Sequence, residues 1–329
     1  MERSVEECFT PDILLEALKP FSLKENSLKK LGSFENYVYE ATLDGREVIL
    51  RLTHSSHRTK AEIESELDWI LYLHKNGAPV CPPLLSSNKQ YVEEIKAKQS
   101  SFFVSLFTKA NGYSVKQTNI ITNQHLIKKW GQTTGMLHRL TKEYRVPTHM
   151  ISRKDLLDEF EFQFAPYIPN DPFVIERIKE VLTEVKALSK NETNYGLIHT
   201  DLHSGNFHYT GSSLEIFDFD DCAYHFFTHD IAIPIYYTFW QCTDKDQNIM
   251  KSHSEEFLRQ FLSGYLLESS IEPLENLSLF LRLRDCELYG VLHKKLELPL
   301  NTKQFELIST IRNRIIAREA IVDLEFSDL

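Results

Sequence analysis

Cysteine is sparse and unpaired in this chain. Its five cysteines (Cys8, Cys81, Cys222, Cys242 and Cys286) are odd in number, widely spaced and free of any Cys-x-x-Cys pattern. That excludes a disulfide framework or a zinc cluster, and makes a reducing cytoplasm the expected compartment. Long apolar runs are missing too. The most apolar stretch, 231–240, is too short to span a bilayer and contains Pro234. The opening residues Met1-Glu2-Arg3-Ser4-Val5-Glu6-Glu7 carry no signal-peptide core, so no membrane partner is expected. Positive charge is in deficit. A formal net charge of −10 argues against broad nucleic-acid binding and is compatible with a cationic small molecule. Neither repeats nor low-complexity tracts occur.

What is present is an ordinary globular composition, 42% hydrophobic and 26% charged, long enough for two lobes with separate cores. Thr10 and Pro11 supply an N-cap and a first-turn proline for a short helix to about residue 18. Residues 31–41 read as strand, turn, strand. Leu43-Asp44-Gly45 reads as a hairpin turn and 47–52 as a third strand. An apolar stripe of Ile63, Leu67, Ile70 and Leu71 predicts a helix over 56–76, ended by Gly77 and Pro79. Strands near 91–95 and 101–107 complete an expected five-stranded antiparallel sheet with one helix. Beyond residues 108–112 the pattern turns helical. Leu126, Trp130, Leu137 and Leu140 mark one helix, and Val174, Ile178, Val181, Leu182 and Val185 another. Further helices are expected over 257–267, 277–288 and 302–322, and the Pro- and Asn-rich 166–172 reads as a loop insertion. The predicted fold class is α+β, with an N-terminal lobe (1–107), a connector (108–112) and a mainly helical C-terminal lobe (113–329).

The chemistry concentrates in one stretch. Leu197-Ile198-His199-Thr200-Asp201-Leu202-His203-Ser204-Gly205-Asn206-Phe207 reads as a strand and a polar loop. After a turn at Gly211, a short apolar strand carries Asp218. Phosphoryl transfer from ATP needs a carboxylate to orient the attacking hydroxyl, an amide oxygen on Mg²⁺, and a second carboxylate on the metal. Asp201, Asn206 and Asp218 supply these in that order. A lone Asp-x4-Asn would be ordinary turn chemistry; the apolar run before His199 and the second carboxylate on its own strand tell against that.

His-x-Asp-Leu-His-x-Gly-Asn followed by Ile-x-Asp-Phe-Asp-Asp resembles the aminoglycoside phosphotransferase and choline kinase superfamily, which has a protein-kinase-like two-lobe fold. Within it, the chain is most similar to bacterial members akin to the pseudomonad type of homoserine kinase. The resemblance covers about residues 31–288, and Thr200 stands where members commonly have Gly or Asn. It implies ATP and Mg²⁺ as cofactors and Gly32, Ser33 and Asn36 in a loop over the phosphates. Arg51 falls where protein kinases place a strand-3 lysine, with Glu66 as its partner. Phe107 and Lys109 are further expected nucleotide-site residues. His199, His203 and Asp230 are expected to brace the catalytic loop. The Arg51–Glu66 pair is expected to matter more for nucleotide binding than for stability, as solvent-exposed pairs do.

Only eleven residues separate Asp218 from Asp230, too few for the activation segment of a protein kinase. A small-molecule acceptor is therefore favoured over a peptide, with a catalytically weak scaffold of the same shape as the other alternative. Tyr224, Tyr236, Tyr237 and Trp240, near Asp220 and Asp221, could hold an ammonium group by cation–π and ionic contact, although each also reads as a core aromatic. Homoserine, hydroxylysine, choline or an aminoglycoside would fit. Oligomeric state is not legible.

Overall fold

The computed structural model describes residues 3–116, 119–240, 247–272, 274–296 and 299–324. The chain divides into two compact units: Met1–Asn111 with Tyr144–Arg153 and Glu215–Asp220, and Gly112–Glu143 with Lys154–Leu214 and Asp221–Leu329. Among the described residues, no helix is long and apolar enough to cross a membrane.

The first unit opens with two helices, α1 (Arg3–Cys8) and α2 (Pro11–Leu18). The Thr10 hydroxyl accepts from Ile13 N, and Pro11 occupies the first turn of α2, where its missing N–H costs nothing. The sheet is β1 (Lys29–Gly32), β2 (Tyr37–Leu43), β3 (Arg46–His54), β4 (Pro83–Leu84), β5 (Glu93–Lys96) and β6 (Ser101–Thr108), antiparallel throughout and ordered β1-β2-β3-β6-β4 with β5 also on β6. It is six-stranded rather than five-stranded, because the two-residue β4, too short to show a periodicity, joins it. The β2–β3 hairpin turns through Asp44 and Gly45, both with positive φ, as a type I′ turn requires.

Alternation along β3 decides what each face does. Val48, Leu50 and Leu52 enter a core with Ile13, Leu18, Phe21, Tyr37, Tyr39, Phe102 and Leu106, so α2 packs on that face. The intervening Arg51 must then point to the opposite face, toward helix α3 (Lys60–Lys75). That helix starts at Lys60, not near residue 56, because Thr59 and Glu62 form a capping box that fixes its first turn. The segment 215–220 belongs to this unit: Ile216 bridges Val80, and Phe219 meets Trp69 edge-on at 5.4 Å.

In the second unit α4 (Gln124–Glu143), α5 (Leu156–Gln163) and α6 (Pro172–Lys186) precede four short strands. β7 (Tyr195–Ile198) pairs antiparallel with β10 (Ala223–Phe226), and β8 (Phe207–Tyr209) and β9 (Leu214–Ile216) lie between them in sequence. α7 (Phe227–Trp240), α8 (Gln247–Tyr265), α9 (Leu277–Lys295) and α10 (Thr302–Ala317) complete it. The 166–172 stretch is a 3₁₀ turn followed by the α6 cap, where the Asp171 carboxylate accepts from Phe173 N and Val174 N. α4 and α8 approach closely enough that a Cβ on Gly131 would lie 1.8 Å from Phe261 O, so only glycine fits. Thr141 of α4 donates to Leu197 O at 2.8 Å and thereby anchors β7, from which the polar loop 199–206 departs.

Candidate active site

Arg51 and Glu66 meet as a forked pair, with both guanidinium–carboxylate contacts at 2.8 Å. Arg51 is 5% exposed and Glu66 0%. Burial alone would weaken the guanidinium's hold on its proton, but Glu66, with Asp220 and Asp218 adding, raises its pKa above the usual value. The Phe107 ring lies 5.0 Å from the guanidinium carbon, on the same face of the sheet, so Phe107 supports the cation. The expectation of an exposed pair that matters little to stability is therefore corrected. Two buried charges satisfy one another, and removing one strands the other away from solvent.

Gly32 ends β1 beside a bulge, and a Cβ there would meet no protein atom within 4 Å. Ser33 follows in the turn, half-buried, and Asn36 is buried. Asn36 Nδ2 donates to Asp220 Oδ2 at 3.2 Å, and His57 Nε2 lies 2.6 Å from the same oxygen. Arg153 donates to Asp220 O at 2.8 Å and to Glu62 O at 3.2 Å. Asp220 is 4% exposed, and despite burial His57, Arg58 and Arg51 hold its carboxyl well below the usual range. It ties the Gly32–Asn36 loop to the segment carrying Asp218, so its expected substrate contact is corrected to an internal one. Lys109 is held by Glu40 at 2.8 Å and Glu47 at 3.0 Å. Asp218 takes φ +66°, a left-handed conformation that Asp tolerates better than most residues.

In the second unit Asp201 leaves the loop after β7. Asn206 Nδ2 donates to Asp201 O at 2.9 Å and to Asp201 Oδ2 at 3.2 Å, which leaves its amide oxygen as the atom available to a cation. His203 Nε2 stands 3.4 Å from Oδ2. Asp201 Oδ1 accepts from Arg284 Nη2 of α9. Burial opposes ionisation of Asp201, but His203 and Arg284 reverse this and hold the carboxyl down at about 2.

The loop is braced from behind. Asp230, 0% exposed, accepts from His199 N at 3.0 Å and Thr200 N at 2.7 Å, and meets His138 Nε2 at 3.2 Å. Burial keeps His138 below its usual pKa despite Asp230, so a neutral ring donates Nε2–H to Asp230 while Nδ1 meets Tyr265 Oη at 2.8 Å. Asp201 N donates to His199 Nδ1 at 3.3 Å. Thr200 takes φ +68°, a conformation costly for a β-branched residue, and its hydroxyl donates to Asp221 O at 2.9 Å.

The expected substrate aromatics separate. Tyr237 stacks under Arg284, 5.2 Å from the guanidinium carbon, and its ring lies 4.4 Å from that of His203. Trp240 packs on Tyr237 at 6.3 Å. Tyr236 instead is wholly buried, its hydroxyl donating to Asp285 at 2.6 Å, so it is core and cannot touch a substrate. Tyr224 is half-buried against Tyr195, its backbone bound to Lys154, and Asp221 is exposed. Arg284, Glu287, His138, His57 and Arg153 were not singled out from the sequence. No spacing joins any of them to the motif they serve.

The first unit thus carries a forked cation–carboxylate pair on a sheet face, and the second a braced Asp–Asn loop. The chain matches the model of the phosphotransferase enzyme family over residues 27–274 and belongs to that family. It is an enzyme, an ATP-dependent kinase acting on a hydroxyl group, with the kinase-like fold expected from its sequence. Among its relatives, amicoumacin kinase of Bacillus subtilis (strain 168) is 31% identical over 322 residues, 96% of this chain and 95% of that protein. A solved amicoumacin kinase in complex with AMP-PNP, Ca²⁺ and Ami has a TM-score of 0.92 at 32% identity, covering 99% of each chain. A microcompartment-associated aminopropanol kinase shares the fold, with a TM-score of 0.76 at 19% identity, covering 94% of this chain and 98% of that one.

Proposed function

We propose that this kinase transfers the γ-phosphoryl group of Mg²⁺-ATP to a hydroxyl of a small, amine-bearing acceptor of the amicoumacin type. Asp201 orients the hydroxyl and receives its proton. Asn206 and Asp218 hold Mg²⁺, which when bound neutralises phosphate charge. The donor set fits such a cation: Asn206 turns its nitrogen to Asp201 and keeps its hard oxygen available. Arg51, locked by Glu66, contacts the phosphates with a charge that never titrates. The Gly32–Asn36 loop covers them, and the open space beside Gly32 leaves room for phosphate oxygens.

The observation that carries this reading is Asp201. Its carboxyl is held ionised on a loop braced by Asp230, as a group that accepts a hydroxyl's hydrogen bond must be. The amicoumacin-type acceptor is supported by the relative of nearly equal length and by Tyr237 beside His203, with Trp240 packed on Tyr237. The test is ADP release from Mg²⁺-ATP by the purified protein in the presence of amicoumacin, aminopropanol, homoserine, choline or an aminoglycoside. Acceptor-dependent release with amicoumacin is expected. Release with another acceptor alone would overturn the substrate reading, and release with none would overturn the transfer itself.

A further inference from the structure

Arg284 is the guanidinium nearest the reacting carboxylate, and it reaches Asp201 from a helix 83 residues further along the chain. Its contacts are divided. Nη2 donates to Asp201 Oδ1 and to Tyr237 Oη at 2.7 Å, while Nη1 donates to Glu287 at 2.8 Å. Glu287 lies one turn further along α9 and is 1% exposed, and the Tyr237 ring lies beneath the guanidinium. The cation is thus gripped by two carboxylates, a phenol and a ring face.

The manner of the Asp201 contact is informative. Arg51 grips Glu66 with both nitrogens on both oxygens, a fork that takes up the whole carboxylate. Arg284 gives Asp201 one nitrogen on one oxygen. Oδ2 keeps its place beside Asn206 and His203, on the side that faces the rest of the loop. Fixing one oxygen from α9 and the other from the loop sets the plane of the carboxylate. An orienting partner does this for a general base: it holds the group in the one rotamer that meets the incoming proton.

We propose that Arg284, itself held by Glu287, is a positioning residue for the phosphoryl transfer, setting the orientation of the Asp201 carboxylate toward the acceptor hydroxyl. The proposal rests on the assignment of Asp201 as the group that meets the hydroxyl. The contacts of Arg284 are with Asp201, Glu287 and Tyr237, so its loss is expected to act on turnover and not on nucleotide affinity.

The test compares Arg284→Gln, Arg284→Lys and Asp201→Asn, singly and combined, with Mg²⁺-ATP and amicoumacin. Arg284→Gln is expected to lower kcat roughly tenfold to a hundredfold, as loss of an outer orienting partner does, with the KM for ATP changed less than about twofold. Arg284→Lys, which keeps the charge and loses the fork, is expected to recover part of the loss. In the Asp201→Asn background, Arg284→Gln is expected to have no further effect, because there is no carboxylate left to orient. Multiplying losses, a parallel rise in the KM for ATP, or unchanged kcat in a folded Arg284→Gln would each overturn the proposal. Should Arg284→Gln not fold, Glu287→Gln tests the same chain of contacts with Arg284 in place, a smaller fall in kcat being expected and an unchanged kcat contradicting it.

Carbodiimide labelling of Asp201 in the protein alone, read by mass spectrometry, separates this proposal from the substrate assignment. Labelling should rise in Arg284→Gln and less in Arg284→Lys; equal labelling would overturn the contact. If the unaltered protein releases no ADP with amicoumacin, it is the substrate reading that fails, while the labelling still decides the role of Arg284.

Discussion

Two arginine–carboxylate sites flank the chemistry in sequence, one in each unit, and they are built oppositely. Arg51 and Glu66 form a closed pair, one cation to one anion, forked and buried. Arg284 is shared between Asp201 and Glu287, so the second site holds two carboxylates against one guanidinium. The closed pair is satisfied within the protein and makes a permanent fixture on the sheet face. The shared one leaves an imbalance of charge, and the structure places it in two ways. Asp201 remains ionised, while burial with too little counter-charge pushes Glu287 up to about 7. Where a site must keep a carboxylate reactive, a neighbouring acid absorbs the cost.

The largest expected effect separates the anion that reacts from those that only hold. Asp201→Asn should reduce turnover by about 10²–10⁴-fold, the range for loss of a general base, while leaving folding and ATP affinity near those of the unaltered protein. Glu66→Gln should alter ATP affinity first. Steady-state kinetics with nucleotide titration would check this, and comparable kcat losses in the two variants would erase the distinction.

Next in size is the stability of the closed pair. Arg51→Ala leaves Glu66 buried without its partner and should cost about 3–5 kcal/mol in denaturant unfolding, besides raising the KM for ATP. A cost below about 1 kcal/mol would mean that water reaches Glu66 and that the pair behaves as an exposed one.

The imbalance in the shared site has a pH signature. Glu287 faces Arg284 on its own helix, His229 of α7 at 3.8 Å, and the charges of Asp201 and Asp221, while burial keeps His229 and the adjoining His225 far below the usual imidazole range. Its native pKa of about 7 exceeds the reference 4.5, so between those values the folded protein binds a proton that the unfolded chain has released. This contribution is fully present below pH 4.5 and is lost as pH rises toward 7, a change of order 3 kcal/mol. Asp201 acts in the opposite sense at lower pH: its contribution is present above its reference 3.8 and is lost as pH falls toward 2. Glu287→Gln should flatten the change between pH 4.5 and 7 in unfolding experiments. An unchanged slope would place the titration elsewhere.

The smallest effect concerns the loop itself. Thr200 at φ +68° occupies a conformation that glycine adopts freely. Thr200→Gly relieves backbone strain but loses the hydroxyl bond to Asp221 O. The two nearly offset, so a change within about 1 kcal/mol is expected by thermal unfolding, with turnover retained.

These sites differ also in how far the sequence discloses them. Arg51 and Glu66 sit on a predicted strand and a predicted helix that follow one another, and the resemblance to kinases, which place a cation on the third strand, was enough to pair them. The Asp201–Asn206 spacing was equally open, being local to one loop. Arg284 and Glu287 were not legible, since their helix shows only an apolar pattern and its meeting with Asp201 is made by the fold. Burial was the other blind point. Asp220 and Tyr236 read as substrate residues because residue type cannot tell an acid or phenol facing solvent from one bonded internally. The sixth strand escaped notice because two residues carry no period.

Phosphorylation of the acceptor through Asp201 is the central step of the proposed reaction. Amicoumacin incubated with Mg²⁺-ATP and the unaltered protein, followed by phosphorus NMR and mass spectrometry, should yield a single phosphate ester. The Asp201→Asn protein, folded and still binding ATP, should form it at least about a hundredfold more slowly. Formation of the ester at equal rates by both proteins, or ADP release with no phosphorylated acceptor, would contradict it.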